Sequence, residues 1–386
     1  KMVSAQMTEV PLPAAKKCKV VGREGRESRE VITLHQGEAL LSIDPAGGSL
    51  ADFHLAGTVN PLCWDSAIHD QLDPNNQEPR PLGHFLCLDR WGPPSIDEER
   101  QGMPYHGEAS SRQWQLVTRS SSAATLKAQL PMAGLEVERS VELMTCSVRA
   151  SWSFETNGAI ARVRDEVKNI NKLGRILNMV QHPSIAPPFL TAETRVDCNG
   201  KRGFTQAPRG CLDVLWDAER EFPAAVTAEG VQDGRCMTGG ADDVFSYEVN
   251  QSESYGWVCA YTPSHRLLLG YLWPRNDYPW VSLWCSSASA ASAQLREPRA
   301  RGLEFGTTGL HQPFPILTRH PRIFGLPTFE HLDAMEMCRK SFCCFLLEVP
   351  TDFRGVQTIV VTSSTLRLSE KGSERKFEVF TSTDLF

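Results

Sequence analysis

Hydrophobic and polar residues alternate with a period of two over much of this chain. Leu126, Ala128 and Leu130 interleave with Thr125, Lys127 and Gln129, and Pro131-Met132-Ala133-Gly134 follows as a turn. Leu135, Val137, Val141 and Leu143 then interleave with Glu136, Glu138 and Glu142. A third segment sets Val148, Ala150, Trp152 and Phe154 against Arg149, Ser151, Ser153 and Glu155, before Asn157-Gly158. Successive strand side chains face opposite sides, so each segment predicts one buried and one wet face. Three in a row predict an antiparallel meander. The pattern returns at Phe377, Val379 and Thr381. Helical spacing is scarce; Leu332, Met335 and Cys338 predict one helix between Phe329 and Ser341.

Composition adds limits. The 25 prolines and 28 glycines predict many turns and irregular loops. No internal repeat or low-complexity linker divides the 386 residues. The expected architecture is all-β, a large antiparallel β-sandwich with few short helices, forming one domain over 31–386. Residues 1–30, with Pro11, Pro13 and a mixed-charge stretch, form a tail or edge segment. A net charge of −6 without a long basic run argues against nucleic acid. No stretch reaches the roughly 18 apolar residues of a membrane span. Lys1–Lys17 lacks an apolar leader, which points to a cytoplasmic protein. The twelve cysteines form no CxxC pair, so buried, reduced thiols are expected and a zinc site is not.

Three segments hold candidate chemistry. The first is Leu88-Asp89-Arg90-Trp91-Gly92 with Met103-Pro104-Tyr105-His106-Gly107-Glu108. The second is Met179-Val180-Gln181-His182-Pro183-Ser184, after the polar strand Val167–Asn171. The third is Gly302-Leu303-Glu304-Phe305-Gly306, continuing to Gly309-Leu310-His311-Gln312. Singly, each histidine reads as a structural hydrogen-bonder, and Glu304 as an outward strand residue.

In this order and context, the segments resemble the aldose 1-epimerase (galactose mutarotase) superfamily from about residue 30 to the end. The resemblance implies a β-supersandwich with the late glutamate and two histidines lining an open cleft. By position, it makes Glu304 the general base, His182 the general acid and His106 a ligand of the sugar ring oxygen. Arg90 falls where a hydroxyl-binding arginine is expected, and Asp242 and Asp243 are candidates, by position only, for a substrate-binding aspartate. The chain departs from the family around His182, which follows Gln181 and precedes Pro183, and at Ser282-Leu283-Trp284-Cys285.

Such residues suit anomer interconversion. A base takes the anomeric hydroxyl proton while an acid protonates the ring oxygen, and the ring recloses on the other face. Each positioned group contributes roughly 10² to 10⁴ in rate. The second histidine stabilises charge building at the ring oxygen. The reaction needs no metal and no organic cofactor. Nine tryptophans supply apolar platforms, with Trp280 and Trp284 the candidates against a sugar; the same residues also read as sandwich core.

Other classes fit less well. A cupin metal site wants His-x-His, and a serine hydrolase Gly-x-Ser-x-Gly; neither occurs. A two-carboxylate glycosidase has no supporting motif. A non-catalytic carbohydrate-binding protein on the same scaffold remains the main alternative. The expected partner is a monosaccharide or sugar derivative, bound by a monomer or homodimer with neither nucleic acid nor membrane involved.

Overall fold

The computed structural model describes residues 29–65, 81–206, 219–227, 230–236, 243–287 and 298–386. The proposed tail over 1–30 therefore lies almost wholly outside the described residues, as does Asp242.

Two large antiparallel sheets pack face to face. The first runs Ile32–Gln36, Ala39–Asp44, Ser49–Leu55, His84–Asp89, Arg175–Ile185, Pro298–Gly306, Trp280–Ser287, Asp243–Val249, Gly200–Thr205 and Arg220–Glu221; Glu330–Leu332 pairs the start of the Arg175 strand. The second runs Arg195–Cys198, Tyr255–Thr262, Leu267–Pro274, Met337–Glu348, Gly158–Asn169, Leu135–Met144, Ala123–Leu130 and Gln115–Arg119. The alternating residues read from sequence enter the core between them: Leu126, Leu130, Leu135, Val137, Val141 and Leu143 are all buried.

A third sheet of four strands (Val356–Val361, Thr365–Glu370, Lys376–Thr381 and Cys146–Ala150) covers the outer face of the second. Ile359, Leu366, Leu368, Phe377 and Val379 pack there on Ile160, Leu268, Leu272, Cys343 and Phe345. Strands of the second sheet are thus buried on both sides, which explains the unbroken apolar runs Leu267–Leu269 and Phe342–Leu347. The adjacent thiols Cys343 and Cys344 face opposite layers. All ten cysteines among the described residues are free.

Two expectations need correction. Cys146–Ala150 does not extend the meander but joins the third sheet, and Ser151–Phe154 leaves the strand conformation, with Trp152 folded onto Phe154 and edge-on to Phe377. The segment Phe329–Ser341 is no helix. It holds two strands, Glu330–Leu332 and the start of Met337–Glu348, joined by a turn in which Met335 adopts φ 60°. Leu332 is buried while Met335 is exposed, so the three-residue spacing shares no face.

One inward position carries charge. Arg139 lies in phase with Val137 and Val141, and its guanidinium reaches both carboxylate oxygens of Asp165 at 2.7 and 2.9 Å. Across the sheet interface, Gln181 accepts from Arg139 and donates to Asp165 and to the Tyr278 hydroxyl, while the His84 Nε2 lies 3.1 Å from its Oε1. All are fully buried, so the pairing satisfies groups that would be costly alone. The network also fixes the strand that carries His182.

Candidate active site

Strand alternation decides what meets on the outer face of the first sheet. Phe305 and Leu303 point into the core, so Glu304 points out. Val180 pairs with Gly306 and Ser184 with Gly302, which places His182 opposite Glu304 on the central pair of strands. Across the sheet, His182 is also opposite Phe85, Glu304 opposite Ser282, and Gly302 opposite Trp284. Trp64, Phe85, Cys87, Trp91, Val180 and Ala300, with the half-buried Trp284, make an apolar cluster around these groups.

Within it, the His182 Nε2 stands 3.3 Å from Glu304 Oε2. The same carboxylate oxygen accepts from the Trp91 indole Nε1 at 2.6 Å. The His182 Nδ1 lies 3.0 Å from the Ser184 hydroxyl, and its ring stacks on Phe85 at 4.3 Å. Gly302 makes room for the carboxyl: a Cβ there would come within 2.8 Å of Glu304 Oε1 and 3.0 Å of the Trp284 Cβ.

Burial governs protonation. It raises the Glu304 pKa to about 8, against the opposing Trp91 hydrogen bond. It lowers the His182 pKa to about 3, with a smaller downward push from His311. Both shifts favour neutral forms, so the 3.3 Å contact sets a carboxylic acid beside a neutral imidazole.

His106 sits on a loop rather than a strand, at φ 65°. Gly92 holds it twice: the Gly92 N–H donates to the His106 Nδ1 at 3.1 Å, and the His106 N–H donates to the Gly92 carbonyl at 3.0 Å. An accepting Nδ1 puts the proton of the neutral ring on Nε2. The next residue must be glycine, because Gly107 has φ 77° and a Cβ there would lie 2.0 Å from the Leu88 carbonyl oxygen. The His106 ring centre is 5.3 Å from that of His182 and 5.8 Å from that of Phe85. Three candidates from distant segments, Glu304, His182 and His106, therefore converge.

The other candidates divide. Trp284 stands at the site, its ring edge-on to Trp64 at 6.1 Å and to His182 at 5.9 Å. Trp280 shares the sheet face but is fully buried beside Phe204, Leu310, Ile316 and Leu317, a packed cluster rather than a platform. Arg90 is buried in an ion-pair cluster. It binds Asp89 through Nε and Nη2 and Glu98 through Nη2, and lies over the Phe314 ring. Asp89 also pairs with Arg175. Asp243 lies opposite Cys285 and in phase with Phe245, a register that places it on the other side of the sheet from Glu304. Among the described residues, no group of three or more His, Cys, Asp or Glu is arranged to hold a metal ion. No helix among them is long and apolar enough to cross a membrane.

Sequence reasoning did not single out Trp91, Phe85, Trp64 or His311 as members of the site. Trp91 was visible within Asp-Arg-Trp-Gly, and Phe85 lies two residues before Cys87 on the strand feeding that segment. Trp64 carried no local signal, because its place depends on a loop folding over the sheet.

No protein-family model matches the chain, and no curated protein matches it. Solved structures do. One is a putative aldose 1-epimerase from Escherichia coli, with TM-score 0.54 and 14% identity, covering 83% of this chain and 99% of that one. Another is a galactose mutarotase related enzyme from Lactobacillus acidophilus, with TM-score 0.54 and 12% identity over 81% and 96%. A galactose mutarotase-like protein from Lactobacillus casei gives TM-score 0.51 and 13% identity over 82% and 99%. The two facing antiparallel sheets and these similarities together show that this chain has the galactose mutarotase-like fold.

Proposed function

We propose that the outer face of the first sheet binds a free monosaccharide and interconverts its anomers by acid–base catalysis. The observation that carries this reading is the contact between Glu304 and His182, beneath His106 and beside Trp284. A carboxyl and an imidazole in hydrogen-bond reach can take a proton from one oxygen and give one to another. Moving the Glu304 carboxyl proton to the His182 Nε2 yields a carboxylate and an imidazolium together. The carboxylate removes the anomeric hydroxyl proton, and the imidazolium protonates the ring oxygen as its bond to the anomeric carbon breaks. The aldehyde rotates, and the steps run backwards on the other face. Trp91 holds the carboxylate, and the His106 Nε2–H is suited to donate to the ring oxygen. At 3.3 Å, no ring fits between Glu304 and His182, so the sugar lies across both rather than between them.

A second reading is a sugar-binding protein without turnover. The ion pairs of Arg90 with Asp89 and Glu98 favour it, since they hold that cation within the protein rather than toward a sugar hydroxyl. Polarimetry of freshly dissolved α-aldoses separates the two. The enzyme reading expects a faster approach to equilibrium rotation for at least one aldose, lost in Glu304→Gln. Binding by calorimetry with no change in the rotation rate supports the second reading instead.

A further inference from the structure

His311 follows the Glu304 strand and closes one side of the site. Its backbone N–H donates to Gln206 Oε1 at 3.1 Å, and Gln206 is itself fixed by bonds to the Ser246 hydroxyl and the Gly309 carbonyl. Its ring stands edge-on to the Trp91 indole, centres 4.8 Å apart at 74°. The His311 Nε2 lies 3.2 Å from the Tyr105 hydroxyl. Gly92, at φ +97°, leaves the space for this ring, since a Cβ there would sit 2.9 Å from its Cδ2. Trp91 in turn donates to Glu304.

We infer that His311 is a positioning residue that braces the Trp91 indole and thereby sets the Trp91–Glu304 hydrogen bond. An indole held by one hydrogen bond can still rock about its side-chain torsions. An edge-to-face neighbour anchored at both backbone and ring restricts that rocking. The inference rests on the reading of Glu304 as the acid–base group of the site. The strands and loops packed on Glu304 bring His182 and Cys87 toward it, and Tyr105 and His106 face His311.

The test is an infrared pH titration of the Glu304 carboxylic acid C=O stretch, assigned by subtracting the Glu304→Gln spectrum. It needs no turnover. Trp91→Phe removes the donor to the charged form and moves the midpoint upward. His311→Ala moves it in the same direction, and the Trp91→Phe/His311→Ala double variant moves it no further than Trp91→Phe alone. His311→Phe keeps a ring against Trp91 without a titratable nitrogen and restores the wild-type midpoint. A wild-type midpoint in His311→Ala would overturn the inference. So would His311→Phe shifting as far as His311→Ala, because the imidazole charge or the Tyr105 bond would then be responsible. If the midpoints move as expected while no aldose is turned over, the brace stands and the enzymatic reading falls.

Discussion

The His182 Nε2 stands 3.3 Å from Glu304 Oε2, and both residues are buried to within a few per cent of complete enclosure. That relationship couples the protonation of the pair to its chemistry. The pair binds a second proton only near pH 3 and loses its last only near pH 8. Activity that needs the Glu304 proton should therefore stay level through neutral pH and fall on the alkaline side with an apparent pKa near 8. This value belongs to the pair. Initial rates of anomerisation in overlapping buffers measure it; a single alkaline limb beyond pH 10 would dissociate Glu304 from the rate.

The same shifts make a stability prediction with a definite sign. The Glu304 pKa rises from 4.5 to about 8 on folding, so its contribution is fully present below pH 4.5 and lost as pH rises to 8. The His182 pKa falls from 6.5 to about 3, so its contribution is fully present above pH 6.5 and lost as pH falls toward 3. The two slopes, each ~1.4 kcal/mol per pH unit at most, cancel between pH 4.5 and 6.5. Denaturant unfolding of wild type against Glu304→Gln should show the substitution abolishing a loss of stability between pH 6.5 and 8.

Gly302 should be intolerant of a side chain for a reason specific to the site. The added methyl in Gly302→Ala meets Glu304 Oε1 and the Trp284 Cβ. We expect a loss of about 1–3 kcal/mol of stability from overpacking, together with an infrared shift of the Glu304 carboxyl. Melting curves and the C=O stretch check the two effects separately.

The two tryptophans on one strand should behave oppositely. Trp280→Ala opens a cavity among Phe204, Leu310 and Ile316 and should cost about 3–5 kcal/mol with little change in sugar affinity. Trp284→Ala removes a half-buried wall of the site and should weaken sugar binding at a smaller cost in stability. Calorimetry and chemical denaturation on both variants give the comparison.

Away from the site, Asp165→Ala leaves the buried Arg139 without its carboxylate partner. A loss of about 3–5 kcal/mol is expected, measurable by urea unfolding at pH 7.

The sandwich was legible because a one-sided strand writes its burial into every second residue, as Leu135, Val137 and Val141 do. Strands covered on both faces, such as Phe342–Leu347, lose that signal, and the third sheet that covers them left only the short alternation around Phe377. The false helix at Phe329–Ser341 arose from three apolar residues whose spacing spans a turn. The approach of Glu304 to His182 was legible only through motif order, since pairing between strands 122 residues apart in sequence has no local mark. Trp91 lay in a segment already singled out, but its bond to Glu304 depends on how the strand end at Asp89 turns, with φ 82°. One carboxylate that pairs with Arg90, Glu98, lies on the short helix Ile96–Arg100, whose position periodicity does not encode.

In the proposed reaction turnover depends on the pairing of Glu304 with His182, and exchange spectroscopy tests it without a coupling enzyme. Two-dimensional NMR exchange between α and β anomeric protons of an aldose at equilibrium should show cross-peaks that grow with wild-type protein. Glu304→Gln and His182→Asn should each reduce the exchange rate by at least about 10²-fold. Cross-peaks of equal strength with and without the wild-type protein, for every aldose that calorimetry shows to bind, would contradict the account.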